Sequence, residues 1–100
     1  MPQLIVTYWR DIPAQVTVKQ GRKKTSRPLP ERFEQAIDRA AMKSGAAETD
    51  DYLAEWRRGE PVEVEGDPAE LAEQAAARID AEYDKDRLIA LINADGRAQA

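Results

Sequence analysis

Apolar side chains fill both faces of the first extended segment of the chain. In a strand, successive side chains point to opposite sides of the sheet. One face would carry Leu4, Val6 and Tyr8, and the other Ile5, Thr7 and Trp9. A strand that is apolar on both faces is typical of the middle of a covered sheet. The pattern therefore predicts a central strand over residues 3–9.

Two other segments, residues 15–19 and 61–65, alternate between polar and apolar residues. This alternation is typical of half-exposed strands at a sheet edge. The connection over residues 10–14 is short enough for an antiparallel hairpin between the first two strands, and Pro13 restricts its backbone. We predict a three-stranded sheet in the order 2-1-3, in which the second and third strands run parallel on either side of the first.

The middle of the chain predicts two helices. The first begins near Pro30, a residue favoured in the first helical turn, and ends at Gly45. Its apolar residues recur at intervals of three and four and form one stripe: Phe33, Ala36, Ile37, Ala40 and Ala41. The second helix is short, is capped by Thr49 or Asp50 and stops at Gly59. We expect it to bury Tyr52, Leu53 and Trp56.

The C-terminal third opens with the clearest helix signal in the chain, Asp67 as N-cap followed by Pro68. The apolar face then changes along the helix. It starts with Leu71, Ala75, Ile79 and Tyr83 and continues on a different face with Leu88, Leu91 and Ile92. Two interpretations stay open: one helix that kinks, or two helices with Asp84 capping the second. We favour one helix, since no glycine or proline interrupts it.

The element order ββααβα predicts an α+β fold, a two-layer sandwich in which the helices pack on the sheet. One hundred residues suit a single domain, here residues 1–100. The longest apolar runs are too short to cross a membrane, and residues 1–3 do not resemble the start of a signal peptide. We therefore expect a cytoplasmic protein.

Cysteine and histidine are both absent, which narrows the range of functions. Without them the chain has no disulfide, no thiolate nucleophile and no imidazole, the usual general base and the commonest metal ligand. The acidic residues Glu60, Glu63, Glu65 and Asp67 lack the spacing of a calcium loop and are interpreted as a solvated edge. We expect no metal site and no cofactor, and we favour a protein without catalytic activity.

Charge is unevenly distributed along the chain. Residues 1–30 contain six basic residues and one acidic residue, a net charge of +5, whereas residues 31–100 contain nine and eighteen, a net charge of −9. Four cations lie close together: Arg22, Lys23, Lys24 and Arg27. Such a group binds phosphates in nucleic-acid readers. We favour a solvated loop that protects a sheet edge, because the pI of the whole chain is about 4.9.

A stronger candidate binding site lies at the end of the first strand. Tyr8, Trp9, Arg10 and Asp11 place two aromatic rings, a guanidinium and a carboxylate side by side. Trp and Arg are favoured anchors in protein interfaces. Two consecutive strand residues cannot both face one core. We therefore predict that this segment, with Trp9 exposed, forms the surface for a protein partner or for a second copy in a homodimer.

Three blocks of sequence carry a family resemblance: YWRDIPAQV at residues 8–16, LPERFEQAIDRAAM at residues 29–42 and DYLAEW at residues 51–56. They resemble a small bacterial family known as the virulence factor family, over residues 3–95. The resemblance brings no catalytic residues to this chain. It implies an accessory role beside corrinoid- and folate-dependent methyl-transfer proteins of one-carbon metabolism.

The sequence as a whole favours a non-enzymatic interaction or accessory module with a protein partner, for which a methyl-transfer enzyme is one candidate. Nucleic-acid binding through the basic loop 21–27 and a small carboxylate-based enzyme are the alternatives. Because the acidic part of the chain should repel phosphates, we expect no tight binding to duplex DNA.

Overall fold

The architecture is that of a computed structural model, which describes residues 2–45 and 50–97. In that part of the chain the elements are β1 (Gln3–Trp9), β2 (Ile12–Gln20), β3 (Lys23–Pro28), α1 (Glu31–Ser44), α2 (Asp50–Ala54), β4 (Trp56–Arg58), β5 (Val62–Glu63), α3 (Pro68–Glu82) and α4 (Lys85–Asn93). The predicted α+β class is confirmed. The predicted order ββααβα is wrong, because two strands and one helix are added to it.

The sheet is built around β1, as its two-sided apolar pattern predicts. β1 pairs antiparallel with β2 on one side and with β4 and β5 on the other. β2 and β5 therefore flank β1 and run parallel to each other, which confirms the predicted arrangement of these strands. The predicted three-stranded sheet in the order 2-1-3 is wrong: the order is β3-β2-β1-β4, with β5 also on β1.

The predicted basic loop 21–27 is largely the edge strand β3. β2 continues to Gln20, and a tight turn with Gly21 at φ 61° starts the return. Such a turn suits glycine, which has no Cβ to clash at positive φ. β3 then pairs with β2 from Lys23 opposite Gln20 to Pro28 opposite Gln15. Its side chains are exposed on both faces, so no apolar alternation marks it in the sequence.

The second helix is shorter than the spacing of its apolar residues predicts. α2 ends at Ala54, and Trp56–Arg58 forms β4 along residues 7–9 of β1. Pairing with the open edge of β1 outweighs the local helical pattern. Leu53, expected to be buried, is exposed, and Trp56 is partly exposed. Thr49 lies outside the described residues.

Gly59 is a close-approach position rather than the end of a helix. Its backbone N–H donates to the Val6 carbonyl at 2.7 Å. A Cβ there would lie 3.2 Å from the Tyr8 ring and 3.3 Å from the Val6 oxygen. The glycine thus lets the chain follow the edge of β1 closely between β4 and β5.

Helices α1 and α3 have the ends that the sequence predicts. α1 stops at Gly45, which adopts φ 79°. The side chain of Asp67 accepts a hydrogen bond from the Glu70 N–H, and Pro68 occupies the first turn of α3. The predicted stripe of α1 is buried in full: Phe33, Ala36, Ile37, Ala40 and Ala41.

The C-terminal segment forms two helices, so the favoured single helix is wrong and the alternative is correct. Tyr83 leaves helical geometry, and the Asp84 side chain accepts from the Arg87 N–H at 2.8 Å as the N-cap of α4. Arg32 of α1 pairs with Asp80 and donates to the carbonyls of Asp80 and Tyr83 at 2.7 and 2.9 Å. Arg32 thereby satisfies carbonyls that the broken helix leaves without partners.

One face of the sheet meets the helices, and the other is uncovered by them. The core combines Leu4, Val6 and Trp9 of β1 and even-numbered residues of β2 with α1, α3 and α4. A shallow groove on the opposite side is lined by strand residues and Pro61 only. We call this side the open face; its strand residues are Gln3, Ile5, Thr7, Gln15, Thr17, Lys19, Lys24, Ser26 and Arg58.

Trp9 belongs to the core, which corrects the prediction that it is a surface residue. Its side chain is 0% exposed, and its Nε1 donates to the Tyr52 carbonyl at 2.9 Å. The β1–β2 register shifts between Thr7 and Tyr8. This irregularity breaks the alternation that places Trp9 on the face of Ile5 and Thr7. A Cβ on Gly96 would lie 3.0 Å from the Trp9 ring.

Replacing Trp9 by alanine should destabilise the fold by about 3–5 kcal/mol, because a fully buried ring leaves a cavity that the surroundings fill only in part. Phe33→Ala should be comparable, since Phe33 is also 0% exposed. Trp56→Ala is the matched control and should cost clearly less, because Trp56 is 37% exposed. Urea unfolding of the three variants measures the effect. Equal losses for Trp9→Ala and Trp56→Ala would contradict the burial of Trp9.

Candidate functional site

A cleft of about 910 Å³ lies between α4 and the ends of β1 and β4. Its polar lining comes from the first strand, the turn that follows it, β4, the α3–α4 corner and the residues after α4. We call it the α4 cleft and define it by Tyr8, Asp11, Arg57, Tyr83, Arg87 and Arg97. Three arginines and two tyrosines from four of these parts therefore share one concave surface, which the carboxylates of Asp11 and Glu60 also line.

Arg57 is fixed against Tyr8 by the sheet. The two residues are opposite each other in the β1–β4 register, and the Arg57 guanidinium lies 4.6 Å from the centre of the Tyr8 ring. Arg57 Nη2 binds Asp11 Oδ1 at 3.0 Å, and its Nε donates to the Arg10 carbonyl at 3.0 Å. The guanidinium is therefore oriented before any ligand arrives.

Arg87 forms a second stacked pair at the corner between α3 and α4. Its guanidinium lies 3.9 Å from the centre of the Tyr83 ring, and Nη1 donates to the Glu82 carbonyl at 3.1 Å. Within residues 2–45 and 50–97, no carboxylate lies within ion-pair distance of Arg87. Arg87 thus presents an uncompensated positive charge to the cleft.

Arg97 closes the other end of the α4 cleft. Its Nη2 binds Glu55 Oε1 at 3.1 Å, while the side chain is largely exposed. Glu55 also faces Arg10 Nε at 3.8 Å. One carboxylate, that of Glu55, therefore lies near two guanidiniums beside this end of the cleft.

The predicted partner surface Tyr8, Trp9, Arg10 and Asp11 is divided by the fold. Tyr8 and Asp11 line the α4 cleft, whereas Trp9 is core. Arg10 is only 11% exposed; its guanidinium lies over Trp9 at 4.8 Å and its Nη1 donates to the Asp95 carbonyl at 2.6 Å. Arg10 thus ties the β1–β2 turn to the end of α4.

The four cations of the predicted phosphate site do not form one patch. Lys24 stands on the open face, opposite Lys19. Arg27 borders the groove between β3 and α3 instead. Arg22 lies in the turn and Lys23 begins the strand. The alternation of strand side chains therefore separates them, and β3 is at the edge of the sheet away from the α4 cleft.

Tyr8 is a neutral hydrogen-bonding group rather than a base. Burial raises the pKa of Tyr8, and Tyr83 and Asp11 raise this pKa further, against the opposing effect of Arg57. A tyrosine that acts as a general base needs a lowered pKa. Tyr8 therefore offers a phenolic O–H beside a guanidinium, which is suited to binding an anion.

The sequence identified two of the six residues that define this site. Tyr8 and Asp11 were identified as candidates, and Tyr83 appeared only as part of an apolar stripe. No sequence pattern marked Arg57 and Arg87 as site residues, because they are distant in sequence. Only the placement of β4 and of the α3–α4 corner in the fold brings them to the same cleft. An aromatic residue next to an arginine occurs at Trp9-Arg10 and again at Trp56-Arg57, and Tyr83 is followed four residues later by Arg87. This recurrence is the local sequence feature that could have indicated the site.

Two other findings concern the described residues as a whole. No group of three or more acidic side chains there is placed to hold a metal ion. No helix there is both long and apolar enough to cross a membrane.

Comparison with known proteins gives one match. A family model described as virulence factor matches residues 7–92. No curated protein and no solved structure matches the chain.

Tyr8→Phe should reduce the loss of stability at alkaline pH. The unfolded pKa is about 10, and the raised folded pKa means that the native state holds the phenolic proton more tightly. This stabilisation is complete below about pH 10 and is lost as pH rises through the folded pKa. Urea unfolding at about pH 8 and at a pH above about 10 measures it. An alkaline loss as large in Tyr8→Phe as in the parent chain would show that Tyr8 contributes nothing.

Proposed function

The chain belongs to the virulence factor family, and we propose that it is a non-enzymatic interaction module that binds an anionic group of a protein partner in the α4 cleft. The observation that carries this proposal is the pair of arginines stacked on tyrosines, Arg57 on Tyr8 and Arg87 on Tyr83. Arg87 has no carboxylate partner among the described side chains, so its charge is available to a ligand.

The geometry of arginine supports an oxyanion as the bound group. A guanidinium presents a planar set of N–H donors that matches a carboxylate or phosphate with two parallel hydrogen bonds. Stacking on an aromatic ring holds that plane and reduces the entropy lost on binding. The neutral phenol of Tyr8 adds a donor on the same side. A carboxylate of the partner would meet donors that are already aligned.

Binding is a better match than catalysis for this set of groups. Tyr8 is shifted away from the pKa that a base requires. The chain contains no histidine or cysteine to act as base or nucleophile. Arginine stays protonated in proteins and donates hydrogen bonds only. Two carboxylates, Asp11 and Glu60, also line the cleft, and Asp11 is paired with Arg57. The arginines and the neutral phenol therefore favour holding an anion over transforming one.

The methyl-transfer role implied by the family resemblance suggests which kind of protein the partner is. We propose that the partner is a corrinoid- or folate-dependent methyl-transfer enzyme, which this module assists. Carboxylates on such an enzyme, or on the glutamate part of a bound folate, are the kind of group that Arg57, Arg87 and Arg97 would bind.

A photo-crosslinking amino acid placed at Asn93 tests the proposal, because Asn93 is exposed and lines the α4 cleft. Crosslinking in the cells that naturally make the protein should trap one protein partner, identified by mass spectrometry. The same group at Arg78, exposed on α3 away from the cleft, is the matched control. Arg87→Gln should lower the yield from Asn93 about tenfold or more, because a charge-assisted hydrogen bond contributes about 1.5–3 kcal/mol.

Three results would contradict this assignment. The first is an equal yield from Asn93 and Arg78. The second is no effect of Arg87→Gln on a chain whose melting temperature is unchanged. The third is a trapped partner without any role in methyl transfer, which would remove the metabolic form of the proposal and leave the cleft as a binding site.

The absence of tight duplex DNA binding stays a prediction, now with a structural argument in its favour. The cations of the basic segment are divided between two faces of β3, and residues 31–100 carry −9. Fluorescence anisotropy across a salt series measures the affinity. Submicromolar binding near physiological salt would overturn the prediction if neutralising Arg22, Lys23, Lys24 and Arg27 abolished it.

A further inference from the structure

The strands β3 and β5, at the two edges of the sheet, carry opposite charges. β3 and its turn form one edge with Arg22, Lys23, Lys24 and Arg27, and we call this the basic edge. The other edge has two parts: β4 carries Arg57 and Arg58, whereas β5 and the residues that follow carry Glu63 and Glu65, and we call this second part the acidic edge. The six side chains of the basic and acidic edges are exposed, and none of them forms an ion pair in the part of the chain that the structure describes.

The backbone of the basic edge is available for pairing. Leu29 N–H donates to the Ala14 carbonyl of β2 at 3.1 Å, so odd-numbered residues of this segment direct their N–H and C=O groups toward β2. Successive residues alternate, so the groups of Lys24 and Ser26 point away from the sheet. Pro28 lies on the same outward side, where its missing N–H breaks no ladder hydrogen bond.

The backbone of the acidic edge is available in the same way. Val64 N–H donates to the Pro2 carbonyl at 3.0 Å, so even-numbered residues here bond toward β1. The N–H and C=O groups of Glu63 and Glu65 therefore point outward. An unpaired strand edge of this kind is a template for another strand.

We propose that the protein associates head to tail with further copies of itself, β3 of one copy pairing with the β5 segment of the next. Continuing the sheet in this way makes the new pair antiparallel, because β1 runs opposite to β5 and, through β2, in the same direction as β3. Lys24 of one copy then lies opposite Glu63 or Glu65 of the next.

The side chains and the backbone agree on this pairing. In an antiparallel ladder, directly opposed residues share a face of the sheet. Lys24 stands on the open face, and Glu63 is opposite Gln3, which is on the same face. The residues whose backbone groups point outward are thus the same residues whose charges would meet.

The surroundings of Lys24 in the sheet favour the binding of a carboxylate. It lies directly opposite Lys19 of β2, and like charges in that position destabilise a sheet. A glutamate from the next copy would lie on the other side of Lys24 and offset the repulsion. Two basic edges would instead repel each other, so the complementary occupant is the acidic edge of a second copy.

Head-to-tail contacts are heterologous, and repeated contacts close into rings or grow into filaments. The proposed pairing uses residues 63–65 of this edge, whereas the α4 cleft reaches the same edge at Arg57, Gly59 and Glu60 and otherwise lies on the helical layer with Tyr83 and Arg87. The inference therefore goes beyond the proposed function and does not depend on it.

Sedimentation equilibrium on the whole chain tests the proposal through an exchange of charges. One variant carries Lys23→Glu and Lys24→Glu, and the other carries Glu63→Lys and Glu65→Lys. At low salt the parent chain should exceed the mass of one chain, 11.2 kDa, as its concentration rises. Each variant alone should associate at least about tenfold more weakly, since position 24 of one copy and positions 63 and 65 of the next then carry charges of the same sign. An equimolar mixture of the two variants should regain association, because their edges are again complementary.

Arg78→Glu, a reversal on α3, is the control and should associate like the parent chain. Salt at about 1 M should dissociate the assembly, because screening is then effective within about 3 Å. Circular dichroism checks that each variant is folded. Any variant that fails to fold is replaced by the milder Lys24→Gln or Glu63→Gln variant, and each of these is also expected to weaken association. A parent chain that stays at 11.2 kDa up to about 1 mM at low salt overturns the proposal, as does a mixture that fails to associate.

Discussion

The burial of Trp9 against Gly96 is the contact on which the arrangement of the layers depends. The ring ends the central strand, donates to the Tyr52 carbonyl and leaves no room for a Cβ at Gly96. The next two residues continue the connection, since Arg10 donates to the Asp95 carbonyl and Asp11 N–H donates to the Gly96 carbonyl. One short segment thereby holds α2 and the end of α4 against the sheet. Position 96 also needs φ 86°, which favours glycine on conformational grounds alone.

The α4 cleft follows from this contact. With the end of α4 held at the β1–β2 turn, the helix stands beside Tyr8 and encloses the space where Arg57 and Arg87 meet. Trp9 and Tyr8 are neighbours in sequence, yet one is wholly buried and the other lines the cleft. The shifted register before Tyr8 allows Trp9 to enter the core, because it interrupts the alternation that would place Trp9 on the open face with Ile5 and Thr7. The residues that stabilise the fold and those that form the candidate site are therefore adjacent and distinct.

Local hydrophobic periodicity correctly predicted the elements in which burial follows the position of a residue along the strand or helix. The two-sided apolar pattern identified β1 as central, and the three-and-four spacing from Phe33 to Ala41 identified the buried face of α1. Local periodicity failed to predict the elements that form by pairing with a strand or helix distant in sequence. β3 is exposed on both faces and depends on β2 for its hydrogen bonds, and β4 exists because β1 has an open edge. The break before Asp84 was visible as an alternative, but Arg32, which satisfies the carbonyls there, comes from α1 and could not be placed without the fold.

The net charge of a sequence segment is a poor guide to where arginines converge on one surface of this protein. The basic N-terminal segment supplies the edge strand, whose cations alternate between two faces, whereas Arg57, Arg87 and Arg97 come from the acidic remainder. Charged side chains that alternate along a strand point to different faces of the sheet and do not converge on one ligand. Charges that converge on a concave surface can act together on a single ligand. The fold brings three arginines of the acidic part of the chain to one cleft, where Tyr8 and Tyr83 stack against two of them.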